Sequence, residues 1–154
     1  MYPRWHILFG GMFALFIWIV APQINPFFIL LIFFSSILID LDHYLCSVFK
    51  TKKLSLFHSF EYHRKLIKEE KKKKNLGLRE KSDFHIFHTI EFHILIGLLG
   101  FLWIGFFYLF LGMIFHSLLD IYSMLYEKTL FQREYFFINW LRRKLSKTNK
   151  SLGN

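Results

Sequence analysis

All eight histidines of the chain fall in five short stretches. His6 stands near the start, and His43 closes the cluster "DLDH", which also holds Asp40 and Asp42. The stretches "FHSFEYH" at 57–63 and "FHTIEFH" at 87–93 repeat one pattern: a His, a Glu three residues on, and a second His two residues later. Their members are His58, Glu61 and His63 in the first copy, and His88, Glu91 and His93 in the second, with His85 just ahead of it. In "HSLLD", His116 and Asp120 are four apart and share one face of a helix. Asp40 and His43, three apart, also share a face, whereas Asp42 points elsewhere if the helix is regular. Carboxylates beside imidazoles form the ligand set of a divalent ion, Zn first, with Mn or Fe as alternatives.

The elements that must position these groups are apolar. The chain has 154 residues, 54% of them hydrophobic and 21% aromatic, which bounds it to a single domain, 1–154. From Trp5 to Ile39 there is no Asp, Glu, Lys or Arg. That run exceeds the ~20 residues of one span, and Pro22 and Pro26 divide it, because proline cannot continue a helix interior. Spans are therefore predicted at about 5–21 and 27–48. A second apolar region from 84 to 127 is twice the length of one span and reads as a hairpin, 84–102 and 105–127, turning between Gly100 and Gly105. Ser82 and Asp83 are the expected caps for its first helix.

Basic residues fix the expected orientation. Twelve Lys or Arg lie in the loop 49–83, seven in the tail 128–154, and Arg4 completes the 20. The links between spans one and two and between spans three and four carry none. With both termini and the loop cytoplasmic, four spans satisfy the positive-inside rule. Within the loop, Leu56, Phe60, His63 and Ile67 recur at helical spacing and predict a basic amphipathic helix. The tail, with Ile138, Leu141 and Leu145 on one side, predicts a surface helix. The fold class is thus all-α and polytopic. The net charge of +9 fits a membrane surface better than nucleic acid, since the basic residues flank apolar runs instead of interleaving with aromatics. Membrane lipids are the expected partners. One cysteine, Cys46, excludes an intramolecular disulfide.

This topology gathers His6, Asp40, Asp42, His43, His88, Glu91, His93, His116 and Asp120 at the cytoplasmic face, where ionisable groups bordering hydrocarbon suggest function. Each has an ordinary alternative. His6 can be an interfacial histidine, "DLDH" a span end reaching water, and "HSLLD" an interhelical hydrogen bond. The first heptad, in a basic solvated helix, reads as surface, with folding over the site as a lid as its other possibility. His88 and Glu91 share a face if the helix is continuous there, and His93 lies about 140° round from His88, so it joins the same ion only in a distorted or extended site.

In order and topology these motifs resemble the LexA-binding, inner-membrane-associated family of metal-dependent hydrolases. The matching residues are His6, Asp40 to His43, the pair His88 and His93, and His116 with Asp120, over roughly 1–125. The family's usual Pro before the first Asp is Ile39 here, and its Arg-Gly after the first paired His is Thr89-Ile90. The missing Arg removes a natural phosphate clamp. The resemblance implies a metal-dependent hydrolase in the plasma (inner) membrane, with Glu91 or Asp42 as general base. Its substrate would be amphiphilic and anionic, a lipid ester or lipid phosphate, drawn in by the basic loop. Two rivals stand beside it. A membrane di-iron oxygenase of the desaturase or hydroxylase type also gathers histidines, but this chain has no His-His pair. A non-enzymatic scaffold or adaptor needs no metal.

Overall fold

Asn25 and Pro26 begin the helix on which the rest of the fold is built. The Asn25 side chain accepts a hydrogen bond from the Phe27 N–H at 2.9 Å, and Pro26 occupies the first turn, where a missing N–H costs nothing. The computed structural model describes residues 3–152, with side chains over 4–146. In chain order it contains α1 (Pro3–Val20), α2 (Pro26–Leu38), α3 (Leu41–Thr51), α4 (Leu56–Asn75), α5 (Ile90–Leu99), α6 (Ile104–Tyr126) and α7 (Phe137–Leu152). Single 3₁₀ turns stand at Ile86–His88 and Leu130–Gln132, and no strand occurs among the described residues. The all-helical class expected from the sequence is what the structure has.

α2 packs against both α1 and α6, and α5 pairs with α6 through the turn at 100–103. Ala14, Ile29 and Ile32 form the buried apolar centre, flanked by Phe13, Phe33, Tyr108 and Leu111. Gly112 makes the α2–α6 approach possible. A Cβ there would overlap the Ser35 hydroxyl and the Ile32 carbonyl of α2, the small-residue contact that lets helix backbones meet closely.

Polarity is inverted relative to a water-soluble domain. Among the described residues few apolar side chains are buried, Ala14, Ile29, Ile32, Ile39 and Met113, whereas buried polar groups include five histidines, two aspartates and several hydroxyls. Ile19, Val20, Phe101 and Leu102 face outward and exposed. Two helical segments, Pro26–Thr51 and Ile104–Tyr126, are long and apolar enough to cross a membrane.

Two expected helices are interrupted. The predicted span 27–48 breaks between α2 and α3, where Asp40 has ψ −4° and the bonds tighten to i→i+3, Asp40 N–H to the Ile37 carbonyl and His43 N–H to the Asp40 carbonyl. The predicted span 84–102 contains only the ten residues of α5 as α-helix, ~15 Å of rise against ~30 Å of hydrocarbon. Its cap is Thr89, whose hydroxyl accepts from the Phe92 N–H, not Ser82 or Asp83. The Ser82 N–H bonds instead to the Gln132 carbonyl, and the Asp83 side chain faces α3 and α4. The amphipathic helix of the loop and the basic helix of the tail form as α4 and α7.

Candidate metal centre

Both interruptions serve one cluster. The α2–α3 break turns Asp42 inward alongside Asp40, so both carboxylates face the 3₁₀ turn that carries His88. α6 delivers His116 and Asp120, and α1 delivers His6.

The proton positions on His116 and His88 follow from their partners. His116 Nδ1 lies 2.7 Å from the Ser36 carbonyl oxygen. A carbonyl only accepts, so Nδ1 carries the hydrogen. The close approach at Gly112, one helical turn earlier, brings that carbonyl within reach. His88 Nδ1 lies 3.1 Å from Asp42 Oδ2, which also accepts the Phe87 N–H at 3.0 Å. This carboxylate likewise assigns the hydrogen to Nδ1. Rings so pinned turn Nε2 into the cluster as the atom left to hold an ion, and those two nitrogens face each other at 3.3 Å.

Two carboxylate oxygens complete the group. Asp40 Oδ1 is 3.4 Å from His116 Nε2 and 3.6 Å from His88 Nε2. Asp120 Oδ2 is 3.6 Å from the first and 3.7 Å from the second. All four ligand atoms lie within 4.8 Å of one another. Four such atoms turned on one point repel unless protons, the Arg133 guanidinium or a metal ion offset them. The set Asp40, His88, His116 and Asp120 is able to bind a metal ion, and Asp42 behind His88 supplies the carboxylate–imidazole backing such ligands have.

The surrounding residues orient these four. His6 Nε2 is 3.2 Å from Asp120 Oδ1, and the His6 ring stacks on His116 at 3.9 Å between centroids. Arg133 Nη2 donates to Asp120 Oδ2 at 2.7 Å. His43 Nε2 is 3.5 Å from Asp40 Oδ1, and the His43 ring lies 3.7 Å from that of His85.

Glu91 and His93 have other partners. Thr89 adopts an extended conformation, φ −82° and ψ 149°, so His88 and Glu91 do not share one helix. The Glu91 carboxylate accepts the N–H groups of Phe137 and Ile138 at 3.0 and 3.3 Å. It therefore caps the N-terminus of α7, where a negative charge is favourable. His93 bonds through Nδ1 to the Thr89 carbonyl at 2.8 Å and through Nε2 to the Ser117 hydroxyl at 2.9 Å.

Three residues outside the expected ligand set lie at or beside the site. His85, three before His88, and Arg133, beyond α6, are two of them. The third is His63 of the first heptad, whose Nε2 donates to the His43 carbonyl at 2.9 Å and brings α4 against the site's edge. Its companion Glu61 is at the surface, paired with Lys65 at 3.0 Å. A latch holds α4 in place. Asp83 accepts from Tyr62 Oη at 2.6 Å, from Lys50 Nζ and from Cys46 Sγ. Burial alone would raise the Asp83 carboxyl, but the hydrogen bonds from Lys50 and Tyr62 outweigh it and hold the group below the usual carboxylate range. Burial and the bond to Asp83 push the Tyr62 hydroxyl up to about 12.

No family model, curated protein or solved structure matches the chain.

Proposed function

We propose that this chain is a four-span membrane protein, its third span made of α5 together with the 3₁₀ and extended residues before it, both termini cytoplasmic, that hydrolyses an amphiphilic ester at the cytoplasmic face of the plasma (inner) membrane with a divalent ion. Zn is the first choice, and a lipid ester or lipid phosphate the substrate class. One observation carries the reading: His88 and His116 both have Nδ1 pinned to acceptors, so their Nε2 atoms and two carboxylate oxygens converge on one point. The inverted burial and the one-sided basic residues support the membrane setting.

An ion bound there would lower the pKa of a coordinated water and polarise the scissile group. The chain's own residues divide the remaining work. Asp40, about a quarter exposed, is the carboxylate that entering water meets; with Oδ1 turned to the ligand group, its second oxygen would take the proton. Asp42 holds His88 in register. Arg133, mostly buried beside Asp120, offers a planar cation to an anionic head group, a role assigned from the sequence to the basic loop at large.

The Arg133–Asp120 pair also favours one rival. A scaffold could satisfy the cluster with Arg133 and a shared proton, and would hold no stoichiometric metal. Metal analysis of the purified full chain separates the two. Near-integral Zn, Mn or Fe that is lost in His116→Ala, together with release of fatty acid or phosphate from mixed lipid vesicles, is the expected result. A chain free of metal after purification and after reloading sinks the hydrolase.

A further inference from the structure

An amphipathic helix in a water-soluble domain turns its apolar stripe to the core. α4 does the reverse. Its inner face is polar: Ser59 is buried, Tyr62 Oη donates to Asp83, and His63 Nε2 donates to the His43 carbonyl. Its apolar side chains point away from the protein. Leu56, Phe57, Phe60 and Ile67 are 48–74% exposed. At 3.6 residues per turn these four fall on one arc of ~100°. Leu54, in the turn ahead of α4, is 77% exposed. That turn has a defined geometry. Lys52 ends α3 in the left-handed conformation, φ 59°, and the Tyr44 hydroxyl donates to the Leu54 carbonyl at 2.5 Å. Leu54 and the first turn of α4 are thus held outward together, and a contiguous apolar stripe of this kind marks an interaction surface.

Charge and position identify what covers it. Lys52 and Lys53 precede the stripe, and Arg64 and Lys68 border its C-terminal half. Glu61 is paired with Lys65 on the adjoining edge. Only residues 52–55 separate α4 from the end of the helical segment Pro26–Thr51, which is long and apolar enough to cross a membrane. α4 therefore starts at the level where that segment leaves the hydrocarbon.

We infer that the outer face of α4 is embedded in the anionic cytoplasmic leaflet, with Leu56, Phe57, Phe60 and Ile67 at the boundary of the acyl chains and Lys52, Lys53, Arg64 and Lys68 on lipid phosphates. The inference rests on the membrane setting proposed above and is independent of the metal. Long basic side chains lay their stems along apolar surface and keep their charges at the head groups. The same cations repel a second copy of this face, whereas the negative surface of the leaflet attracts them. The loop between spans two and three is then a membrane contact in its own right. His63, on the opposite face of α4, sets the rim of the metal-capable cluster at head-group level.

The test uses the full chain with Cys46→Ser, which keeps a donor for Asp83, spin-labelled at one introduced cysteine and reconstituted in vesicles of phosphatidylcholine and phosphatidylglycerol. Electron paramagnetic resonance compares collision with oxygen, which concentrates in hydrocarbon, and with a nickel chelate, which stays in water. Circular dichroism checks that each labelled chain folds. Labels at Phe57→Cys and Phe60→Cys are expected to give an oxygen-to-nickel ratio severalfold above Lys65→Cys, which lies on the charged edge. That ratio should fall in vesicles of phosphatidylcholine alone, and an unchanged ratio there overturns the anionic leaflet as the occupant. Phe34→Cys, outward on α2 and 49% exposed, is the reference for the spans. Nickel contact at 57 and 60 equal to that at 65, or shielding from both reagents as in a protein–protein contact, overturns the inference while Phe34→Cys still reports hydrocarbon. Nickel contact at Phe34→Cys as well fails the membrane setting itself, which distinguishes that failure from this one.

Discussion

Replacing Asp120 by Asn separates a ligand from a structural hydrogen-bonding group. Asp120 Oδ2 receives Arg133 at 2.7 Å and faces both Nε2 atoms, while Oδ1 meets His6 Nε2 at 3.2 Å. Arg133 only donates, so the remaining amide oxygen of Asp120→Asn must stay with it, and the new NH₂ turns to His6, which can accept. Each of these contacts keeps a partner. The loss without metal is the difference between a charge-assisted and a neutral hydrogen bond, about 1 kcal/mol. With metal the loss is larger. Outer partners of metal ligands are worth up to ~100-fold in affinity, and a direct carboxylate ligand should cost at least that, ~2.7 kcal/mol. At an ion concentration ~1,000 times the wild-type Kd, binding stabilises the wild type by ~4.1 kcal/mol and a 100-fold weaker variant by only ~1.4 kcal/mol. The assay is thermal unfolding of chelator-stripped protein in detergent, with and without Zn(II). The variant should melt slightly lower without the ion and fall far behind with it. An ion-dependent stabilisation equal to wild type would refute the assignment of Asp120 as a ligand.

Three further outcomes follow from the same contacts. Glu91→Gln should leave bound metal unchanged and weaken the docking of α7 by about 1 kcal/mol, read as faster proteolysis between 133 and 146; loss of metal would return Glu91 to the site. Gly112→Ala, whose Cβ meets α2 backbone, should cost ~1–3 kcal/mol and lower metal occupancy by moving the Ser36 carbonyl from His116, with unchanged occupancy counting against that link. Because the Asp83 carboxyl is depressed in the folded chain, its contribution is present above the unfolded value of ~3.9 and is lost as pH falls through the lower folded value. Proteolytic protection of the 76–83 segment should therefore decline below about pH 4, and Asp83→Asn should flatten that decline; an unaltered profile would mean that the latch does not hold α4.

Much of the site was legible because its residues obey helical periodicity. His116 and Asp120 lie in the uninterrupted α6, and their i,i+4 spacing carried straight into space. Asp42 was harder. A regular helix turns it away from Asp40, and only the break at 39–40 brings it in, a local tightening that no glycine or proline announces. Glu91 and His93 show the converse error. Their spacing from His88 has meaning on one continuous helix, and Thr89 interrupts it. Arg133 lies past the end of α6, where no period relates it to Asp120, and only the path of the chain through the 3₁₀ turn at Leu130–Gln132 returns it. His63 carried the same pattern as His88, and its basic surroundings pointed to water; one face of α4 nevertheless meets α3.

The inverted distribution of polarity has a thermodynamic consequence. A water-soluble domain unfolds with a heat-capacity increase of ~12–15 cal/mol/K per residue because apolar surface becomes hydrated. Here most large apolar side chains already face outward, and in a bilayer or micelle they keep the same hydrocarbon neighbours when the helices separate. What unfolding uncovers is chiefly imidazole, carboxylate and hydroxyl, whose hydration lowers heat capacity. The stability curve should therefore be shallow, with weak cold destabilisation and a low denaturant slope.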